Sequence, residues 1–196
     1  FAGFNDLISN NSYDLVWSNG IRSVERNSVD EANYSNASVY YGDEQVIVDA
    51  SSVGEKEVKE FRGRVDWLTV RNKYFAAIII PDDSKKVEGA YIEGIQETRG
   101  IDGLHETYDA RLTLPFQNQK VETQSFTLFI GPVDYKELEA YGRNSVKIVD
   151  CGSFFGLKFI VRPIAEYILL PLFQFINLFI PNYGFVLIIF SIIIKI

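Results

Sequence analysis

Short stretches of alternating or continuous apolar residues, each bounded by turn residues, fill the first 130 positions of the chain. They are rich in Val, Ile, Tyr, Phe and Thr, a composition typical of β-strands. Because no helical periodicity separates most of them, a parallel βαβ arrangement is not expected, and we predict a mainly β, antiparallel sandwich. The predicted strands cover residues 14–18, 21–24, 37–41, 45–48, 67–70, 74–80, 90–93, 110–114 and 125–130.

A short helix is predicted directly after the last of these strands. Pro132 ends that strand, and Asp134 can accept hydrogen bonds from the first N–H groups of a helix over residues 135–141. Gly142 then offers the left-handed backbone conformation that commonly closes a helix.

The segment from residue 154 to residue 180 differs in kind, because its few polar side chains form one narrow stripe on a helix. Phe, Leu, Ile, Val and Tyr surround that stripe. Pro163 and Pro171 should kink or divide the helix. We therefore predict an amphipathic helix in a bilayer interface, with a buried helix of a soluble core as the alternative. The polar stripe consists of Lys158, Arg162, Glu166, Gln174 and Asn177.

An apolar run over residues 185–194, broken only by Ser191, follows a turn. Tyr183 stands where an aromatic residue at a membrane interface would stand. We expect the start of a transmembrane helix, although the run is shorter than the roughly 20 residues that a span needs. Lys195 would then lie about 18 Å along the helix, near the bilayer midplane, where a cation is usually functional. Alternatively, Lys195 ends a short apolar stretch and reaches back to the surface.

The net charge of the chain changes sign between residues 1–152 and residues 153–196. Residues 1–152 carry 16 basic and 25 acidic side chains, a net charge of −9, whereas residues 153–196 have a net charge of +2. An acidic body joined to an apolar, slightly basic tail indicates a folded domain tethered to a bilayer. The absence of clustered Lys and Arg argues against a nucleic-acid partner.

Candidates for bond chemistry are few. His105-Glu106 resembles half of a zinc-protease motif, but Asp109 occupies the position where the second His is needed. Cys151 is the only cysteine, which excludes an intramolecular disulfide and a Cys-based zinc site. We expect no metal, no cofactor and no enzymatic activity, and we expect His105 to be an ordinary loop residue.

A series of short motifs resembles the YidC membrane-protein insertases of bacteria with two membranes. The resemblance covers the chain from about Trp67 to Ile196, and residues 1–66 contribute only by their position. The motifs are, in order, Trp67-Leu68-Thr69-Val70, Lys73-Tyr74-Phe75-Ala76-Ala77, Pro81, Phe129-Ile130-Gly131-Pro132, Tyr135, Leu138, Val149-Asp150-Cys151-Gly152 and Asn182-Tyr183-Gly184-Phe185.

The resemblance implies a division of the chain into three parts. Residues 1–152 would be the C-terminal portion of a periplasmic β-supersandwich domain, residues 153–182 an interfacial helix, and residues 183–196 the start of a truncated transmembrane helix in the bacterial inner membrane. In this family a positive side chain, usually Arg, lies in a hydrophilic membrane groove, and Lys195 stands at the matching position. We expect Lys158, Arg162 and Glu166 to seat the interfacial helix.

The resemblance also implies a function without bond chemistry. An insertase assists the insertion and folding of inner-membrane proteins, alone or with the Sec translocase. The expected partners are nascent membrane proteins, Sec components and the lipid bilayer, and not nucleic acid. The expected attraction is between Lys195 and acidic residues of the inserting segment.

A membrane-anchored periplasmic sugar-binding or receptor β-sandwich is the alternative function. A sugar-modifying domain would need a cleft where carboxylates, aromatic rings and a histidine converge, and the single His105 argues against it. A receptor with a plain anchor would need no further membrane spans. We expect both chain ends to be truncations, since no Met begins the sequence and it stops within an apolar run.

Overall fold

The computed structural model describes residues 11–100, 103–117, 119, 121–150, 161 and 163–195. The chain divides into two units, Phe1–Ile148 and Val149–Ile196. Each unit is described by itself below. The three-part division over residues 1–152, 153–182 and 183–196 stays a prediction.

The described strands of the first unit form two antiparallel sheets. The strand order is β1-β8-β7-β4 in one sheet and β3-β2-β5-β6-β9 in the other, and all strand pairs are antiparallel. The predicted mainly β, antiparallel architecture is confirmed. The strands are β1 (Ser12–Trp17), β2 (Asn36–Tyr41), β3 (Glu44–Val48), β4 (Lys56–Arg62), β5 (Val65–Arg71), β6 (Phe75–Pro81), β7 (Gly89–Arg99), β8 (Gly103–Pro115) and β9 (Phe126–Pro132).

The core of the first unit lies between the two sheets. Strand β8 alternates, so that every second side chain from Glu106 to Leu114 is buried. Apolar side chains of the other sheet, among them Leu68 and Ile79, join the same buried cluster. Burying one such aliphatic side chain contributes roughly 1.5–3 kcal/mol, so this alternation is a principal source of the fold's stability.

Strand β5 is buried at all seven positions, because the outer face of its sheet is also covered. The covering elements are helix α2 (Tyr135–Glu139) and a 3₁₀ turn (Ser145–Ile148). The indole N–H of Trp67 on β5 donates to the carbonyl of Arg143, 3.0 Å away, in the link between these two elements. Burial at every position of β5 therefore reflects two covered faces.

The predicted helix after β9 is confirmed. The Asp134 carboxylate accepts hydrogen bonds from the N–H groups of Lys136 and Glu137, at 2.9 and 3.1 Å. The helix ends at Glu139 rather than at residue 141. Gly142 follows with a φ of +62°, which fits its expected closing role.

Residues 21–24 do not form the predicted strand. Helix α1 (Ser28–Ala32), which was not predicted, brings the Glu31 carboxylate beside this segment. That carboxylate accepts from the N–H groups of Val24 and Glu25, each at 2.8 Å. The backbone is therefore satisfied by a side chain instead of a neighbouring strand.

Three strands of the four-stranded sheet differ from the prediction. Strand β4 was not predicted, because its sequence Lys-Glu-Val-Lys-Glu-Phe-Arg is mostly charged. Strands β7 and β8 extend well beyond the predicted residues 90–93 and 110–114, as a long hairpin whose outward side chains are mostly polar. His105 consequently lies on β8, and the expectation of a loop position was wrong.

The described part of the second unit is helical. A π-helical segment (Ala165–Leu169) leads into α3 (Leu170–Phe179), and α4 (Tyr183–Lys195) follows a short turn. Because Pro171 has no N–H to donate to the residue four positions earlier, a regular α-helix cannot continue there. The N–H of Leu170 instead donates to the carbonyl of Ala165, five positions earlier. The helix is therefore irregular between Pro163 and Pro171, as the two prolines predict.

Among the described residues, no helix combines the length and the apolar character needed to cross a membrane.

Candidate functional site

Lys195, the predicted groove cation, is exposed at the end of α4. The preceding residues of that helix are apolar apart from Tyr183, Gly184 and Ser191. Ser191 lies four residues before Lys195 and therefore on the same side of the helix. Lys195 is thus a cation on an otherwise apolar helix.

The start of α4 is fixed by Asn182. Its side-chain oxygen lies 3.0 Å from the N–H of Gly184 and 3.4 Å from that of Phe185, and its carbonyl accepts from Val186 at 3.0 Å. This cap satisfies backbone donors that a helix end otherwise leaves unpaired. Asn182 was not predicted to be a cap, although an Asn just before an apolar run is a recognisable cap signal.

Aromatic side chains join α3 to α4. The ring of Tyr183, which is 66% exposed, stacks on Phe173 with 6.1 Å between ring centroids. Phe173 also meets Phe190 edge to face at 5.6 Å. These contacts make the two helices a packed hairpin, an arrangement that was not predicted from the sequence.

The predicted polar stripe is only partly described. Lys158 and Arg162 lie outside the described residues. Glu166 is half-buried in the π-helical segment, Gln174 is exposed on α3, and Asn177 is half-buried. The side-chain oxygen of Asn177 is buried and has no hydrogen-bond partner among the described residues.

The π-helical segment changes the alignment of this stripe. A helical turn closed by an i→i−5 hydrogen bond contains about one residue more than a regular turn of about 3.6 residues. One such turn and one regular turn together therefore span about eight residues. Glu166 and Gln174 are eight residues apart and therefore come close to one face. Gln174 and Asn177, three apart on α3, are neighbours on that helix. The full stripe of five residues stays a prediction.

Most large apolar side chains of the described helices in the second unit are exposed. Soluble monomers rarely expose a contiguous apolar patch larger than a few hundred Å², and larger patches mark contacts with membranes or other proteins. The exposed apolar and aromatic residues include Ile164, Tyr167, Ile168, Phe175, Leu178, Phe179, Phe185, Leu187, Ile188, Ile192, Ile193 and Ile194.

The first unit holds a buried polar cluster around Glu106, which is 4% exposed. Its carboxylate accepts from the Gln96 amide and from the Tyr108 hydroxyl, both at 2.7 Å. The Tyr108 hydroxyl in turn accepts from the N–H of Ala50 at 2.9 Å. Burial raises the pKa of Glu106 to about 7; the two hydrogen bonds lower it and the negative charge of Asp49 raises it. Burial likewise raises the pKa of Tyr108.

This cluster does not form the cleft that a sugar-modifying enzyme needs. His105 and Glu106 are adjacent on β8, so their side chains point to opposite faces of the sheet. His105 instead has its Nδ1 atom 3.1 Å from the Ser23 hydroxyl. Among the described residues, no group of three or more His, Cys, Asp or Glu side chains could hold a metal ion.

Comparison with known proteins identifies the family. The model of the YidC periplasmic domain matches residues 4–167, which is most of the chain. The chain belongs to the YidC periplasmic domain family. The resemblance seen in its motifs is therefore confirmed, and it extends into the N-terminal residues that the motifs did not cover.

Several curated YidC proteins are similar over nearly the whole chain. It is 38% identical over 195 residues to the membrane protein insertase YidC of Chlorobium limicola and 35% identical over 195 residues to that of Chloroherpeton thalassium. The match covers 99% of this chain and 32% of each of those proteins. The YidC of Prosthecochloris aestuarii is 37% identical over 193 residues. The chain thus spans about a third of the length of these YidC relatives.

Proposed function

We propose that the chain is part of an inner-membrane insertase that assists the insertion and folding of membrane proteins. The observation that carries this proposal is the exposed apolar surface of the α3–α4 hairpin, together with the cation at the end of α4. An apolar surface of this kind needs a lipid or protein surrounding. The curated relatives bear the name membrane protein insertase YidC, which supports the same function.

In this proposal the three parts have different surroundings. Residues 1–152 lie in the periplasm as a β-supersandwich, residues 153–182 lie in the interface, and residues 183–196 enter the bilayer. The half-buried Glu166 and the exposed Gln174 face the headgroups, together with Lys158 and Arg162. Tyr183, with its ring mostly exposed, lies at headgroup depth, where amphipathic aromatic rings are favoured.

The proposed mechanism is electrostatic and forms no covalent bond. A Lys within the hydrocarbon costs about 2.5–3.5 kcal/mol on insertion scales, so Lys195 needs a hydrated groove around it. There it attracts acidic residues of an inserting segment, while the apolar part of that segment moves into lipid. Lys keeps the positive charge that the family usually supplies with Arg, but it lacks the bidentate geometry of a guanidinium.

The proposed partners are nascent membrane proteins, Sec translocase components and the lipid bilayer. Nascent chains are proposed because they are what an insertase acts on, and lipid is proposed because the α3–α4 hairpin exposes apolar side chains. Contact with Sec components is proposed for the first unit, whose size and exposure leave surface free for a protein partner.

The test uses the full-length protein in liposomes and measures insertion of a small membrane protein with an acidic translocated segment. Lys195→Ala should lower the initial insertion rate about fivefold or more, because a charge pair at about 4 Å is worth about 1 to 4 kcal/mol in a hydrated or partly hydrated site. Lys195→Arg should retain insertion. Lys136→Ala, at an exposed position of α2, is the matched control and should insert like the wild type.

Two results would contradict parts of the proposal. Equal insertion by wild type and Lys195→Ala would remove the role of Lys195 and leave the insertase function standing. A wild-type protein that inserts nothing, under conditions where a known insertase works, would refute the function itself.

A further inference from the structure

The side chain of Tyr108 reaches from the four-stranded sheet to the open end of the hairpin formed by β2 and β3. The described ladder of that hairpin ends where Ala37 lies opposite Val48. Two residues further in the same register, Ser35 would lie opposite Ala50. The Tyr108 hydroxyl lies 3.3 Å from the Ser35 carbonyl oxygen and 2.9 Å from the Ala50 nitrogen. It therefore bridges the two ends of the hairpin by hydrogen bonds.

This bridge has one hydrogen for two acceptors. A phenol hydroxyl accepts up to two hydrogen bonds but donates only one. The Tyr108 oxygen accepts from the N–H of Ala50. Its hydrogen can go either to the Ser35 carbonyl or to the Glu106 carboxylate, which lies 2.7 Å away. Burial raises the pKa of Tyr108, so the hydroxyl keeps its hydrogen at neutral pH.

The ionised Glu106 carboxylate holds this hydrogen. A carboxylate can only accept, and a charged acceptor forms stronger hydrogen bonds than a neutral carbonyl. One of its oxygens accepts from the Gln96 amide and the other from the Tyr108 hydroxyl, both at 2.7 Å. In this state the bridge is open at Ser35.

The protonated Glu106 carboxyl releases the same hydrogen. The oxygen that faces Gln96 continues to accept from that amide, so the proton lies on the oxygen that faces Tyr108. The carboxyl then donates to the Tyr108 oxygen, and the Tyr108 hydrogen goes to the Ser35 carbonyl. Each donor of the cluster keeps an acceptor, as buried polar groups require. In this state the bridge is closed.

We propose that Glu106 and Tyr108 form a proton-operated switch at the open end of the β2–β3 hairpin. Protonation of Glu106 closes the bridge between Ser35 and Ala50, and deprotonation opens it at Ser35. The switch acts on the junction between α1 and β2, because the N–H of Ser35 also donates to the carbonyl of Ala32, 2.8 Å away at the end of α1. This proposal concerns the first unit alone and does not depend on the insertase function.

The groups around Glu106 set the pH range of the switch. Burial raises the pKa of Glu106 to about 7, the hydrogen bonds from Tyr108 and Gln96 lower it, and the negative charge of Asp49 raises it. All other charged residues of β7 and β8 occupy odd-numbered positions and therefore lie on the opposite face of the sheet. Both states of the bridge are therefore populated close to neutral pH.

The charged side chains of the other elements in closest contact with β8 make hydrogen bonds or ion pairs of their own. These contacts join Glu31 of α1 to backbone N–H groups, Asp30 of α1 to Lys73, Asp66 of β5 to Arg64, Arg71 of β5 to the Ile148 carbonyl, and Asp14 of β1 to Thr113. Strand β2 carries no charged residue. Asp49 is therefore the described charge that acts on Glu106.

The test is NMR spectroscopy of the 196-residue chain in mild detergent, with ¹³C at the Ser carbonyls and ¹⁵N at the Asn amides. Only Ser-Asn pairs carry both labels on one peptide bond, and the sequence has three, at residues 9–10, 18–19 and 35–36. Replacing Ser9 or Ser18 with Ala identifies their signals and leaves that of Ser35. A carbonyl carbon moves upfield when it loses a hydrogen bond. We therefore expect the Ser35 signal to move upfield between pH 5 and pH 9, with a midpoint near the pKa of Glu106.

Glu106→Gln should keep the bridge closed at every pH, because the Gln amide donates to the Tyr108 oxygen as the protonated carboxyl does. Its Ser35 signal should stay at the position that the wild type shows at pH 5. Tyr108→Phe removes the bridging hydroxyl, and its Ser35 signal should stay upfield at every pH. The matched control is Tyr40→Phe, which removes a hydroxyl bonded to the Asp43 carbonyl at the turn of the same hairpin. This control should titrate like the wild type.

Three results would overturn the proposal. A Ser35 signal that stays fixed in the wild type between pH 5 and pH 9 would mean that the proton of Glu106 does not control the bridge. A signal that titrates in Glu106→Gln as in the wild type would assign the change to another group. A signal that still titrates in Tyr108→Phe would show that the hydroxyl is not the connection. The comparison with Glu106→Gln stands even where Tyr108→Phe fails to fold.

Discussion

Replacing Glu106 by Gln should make the first unit more stable at pH 8 and leave its stability at pH 4 almost unchanged. Glu106 is buried on β8 and is hydrogen-bonded to Gln96 and Tyr108. A Gln side chain has the same shape as the protonated carboxyl, and it can still accept from Gln96 while its amide N–H faces the Tyr108 hydroxyl. The substitution therefore removes the charge and keeps the packing.

The magnitude follows from the pKa of Glu106, which burial raises from 4.5 to about 7. Below pH 4.5 the carboxyl is protonated in both the folded and the unfolded chain, and its contribution to stability is fully present. Between pH 4.5 and 7 only the unfolded chain releases the proton, so this stability is lost as pH rises and the loss is complete above about pH 7. The difference amounts to about 3 kcal/mol, since one pKa unit corresponds to about 1.4 kcal/mol.

The assay is chemical unfolding of the 196-residue chain in mild detergent, followed by tryptophan fluorescence between pH 4 and pH 8. Both tryptophans, Trp17 and Trp67, lie in the first unit, and Trp67 is fully buried, so the signal reports on this unit. The difference between variant and wild type isolates Glu106 from other titrating groups. One of these is Glu93, whose pKa is lowered mainly by its hydrogen bond from Lys56 and which therefore favours folding at higher pH.

The matched control is Glu57→Gln, the same chemical change at an exposed position of β4. It should change the free energy of unfolding by no more than about 0.5 kcal/mol at either pH. If Glu106→Gln and wild type lose stability equally between pH 4 and pH 8, the pKa of Glu106 is the same in the folded and the unfolded chain. The reasoning from its burial would then be refuted.

Two further substitutions test the packing and the capping of the first unit. In Gly94→Ala, the new Cβ would lie 2.5 Å from Cε1 of Tyr108. Because hydrogen bonds hold that ring, we expect overpacking to lower the free energy of unfolding by about 1–3 kcal/mol. An unchanged free energy of unfolding would show that the ring moves freely. Asp134→Ala removes the carboxylate that caps α2 and should cost about 1 kcal/mol, whereas Asp134→Asn should retain most of it; equal losses in the two variants would contradict the capping role.

Sequence patterns predicted the elements whose conformation depends mainly on residues within or next to the element itself. The alternating or continuous apolar strands and the Asp134 cap are local signals, and the structure confirms them. Strand β4 escaped prediction because it is an edge strand with few buried side chains. Residues 21–24 were misassigned because their backbone bonds to Glu31, a partner that appears only when α1 is folded.

The candidate site could be predicted only as far as side-chain types and spacing allow. The position of Lys195 at the end of an apolar helix follows from the sequence. The π-helical turn before α3 does not, because it depends on how the backbone compensates for the N–H that Pro171 lacks.

The two units place polar and apolar side chains in opposite ways, and this contrast bears on where Lys195 can act. In the first unit the buried carboxylates of Glu31 and Glu106 are satisfied by hydrogen bonds, and the large apolar side chains mostly face the core. In the second unit large apolar side chains face outward. A single aqueous surrounding would suit the first arrangement and disfavour the second. If the second unit lies in lipid, an unneutralised Lys195 is tolerated only where water or an anionic group reaches it. The hydrated groove and the role of Lys195 are therefore a single proposal, and a result that contradicts one of them contradicts the other.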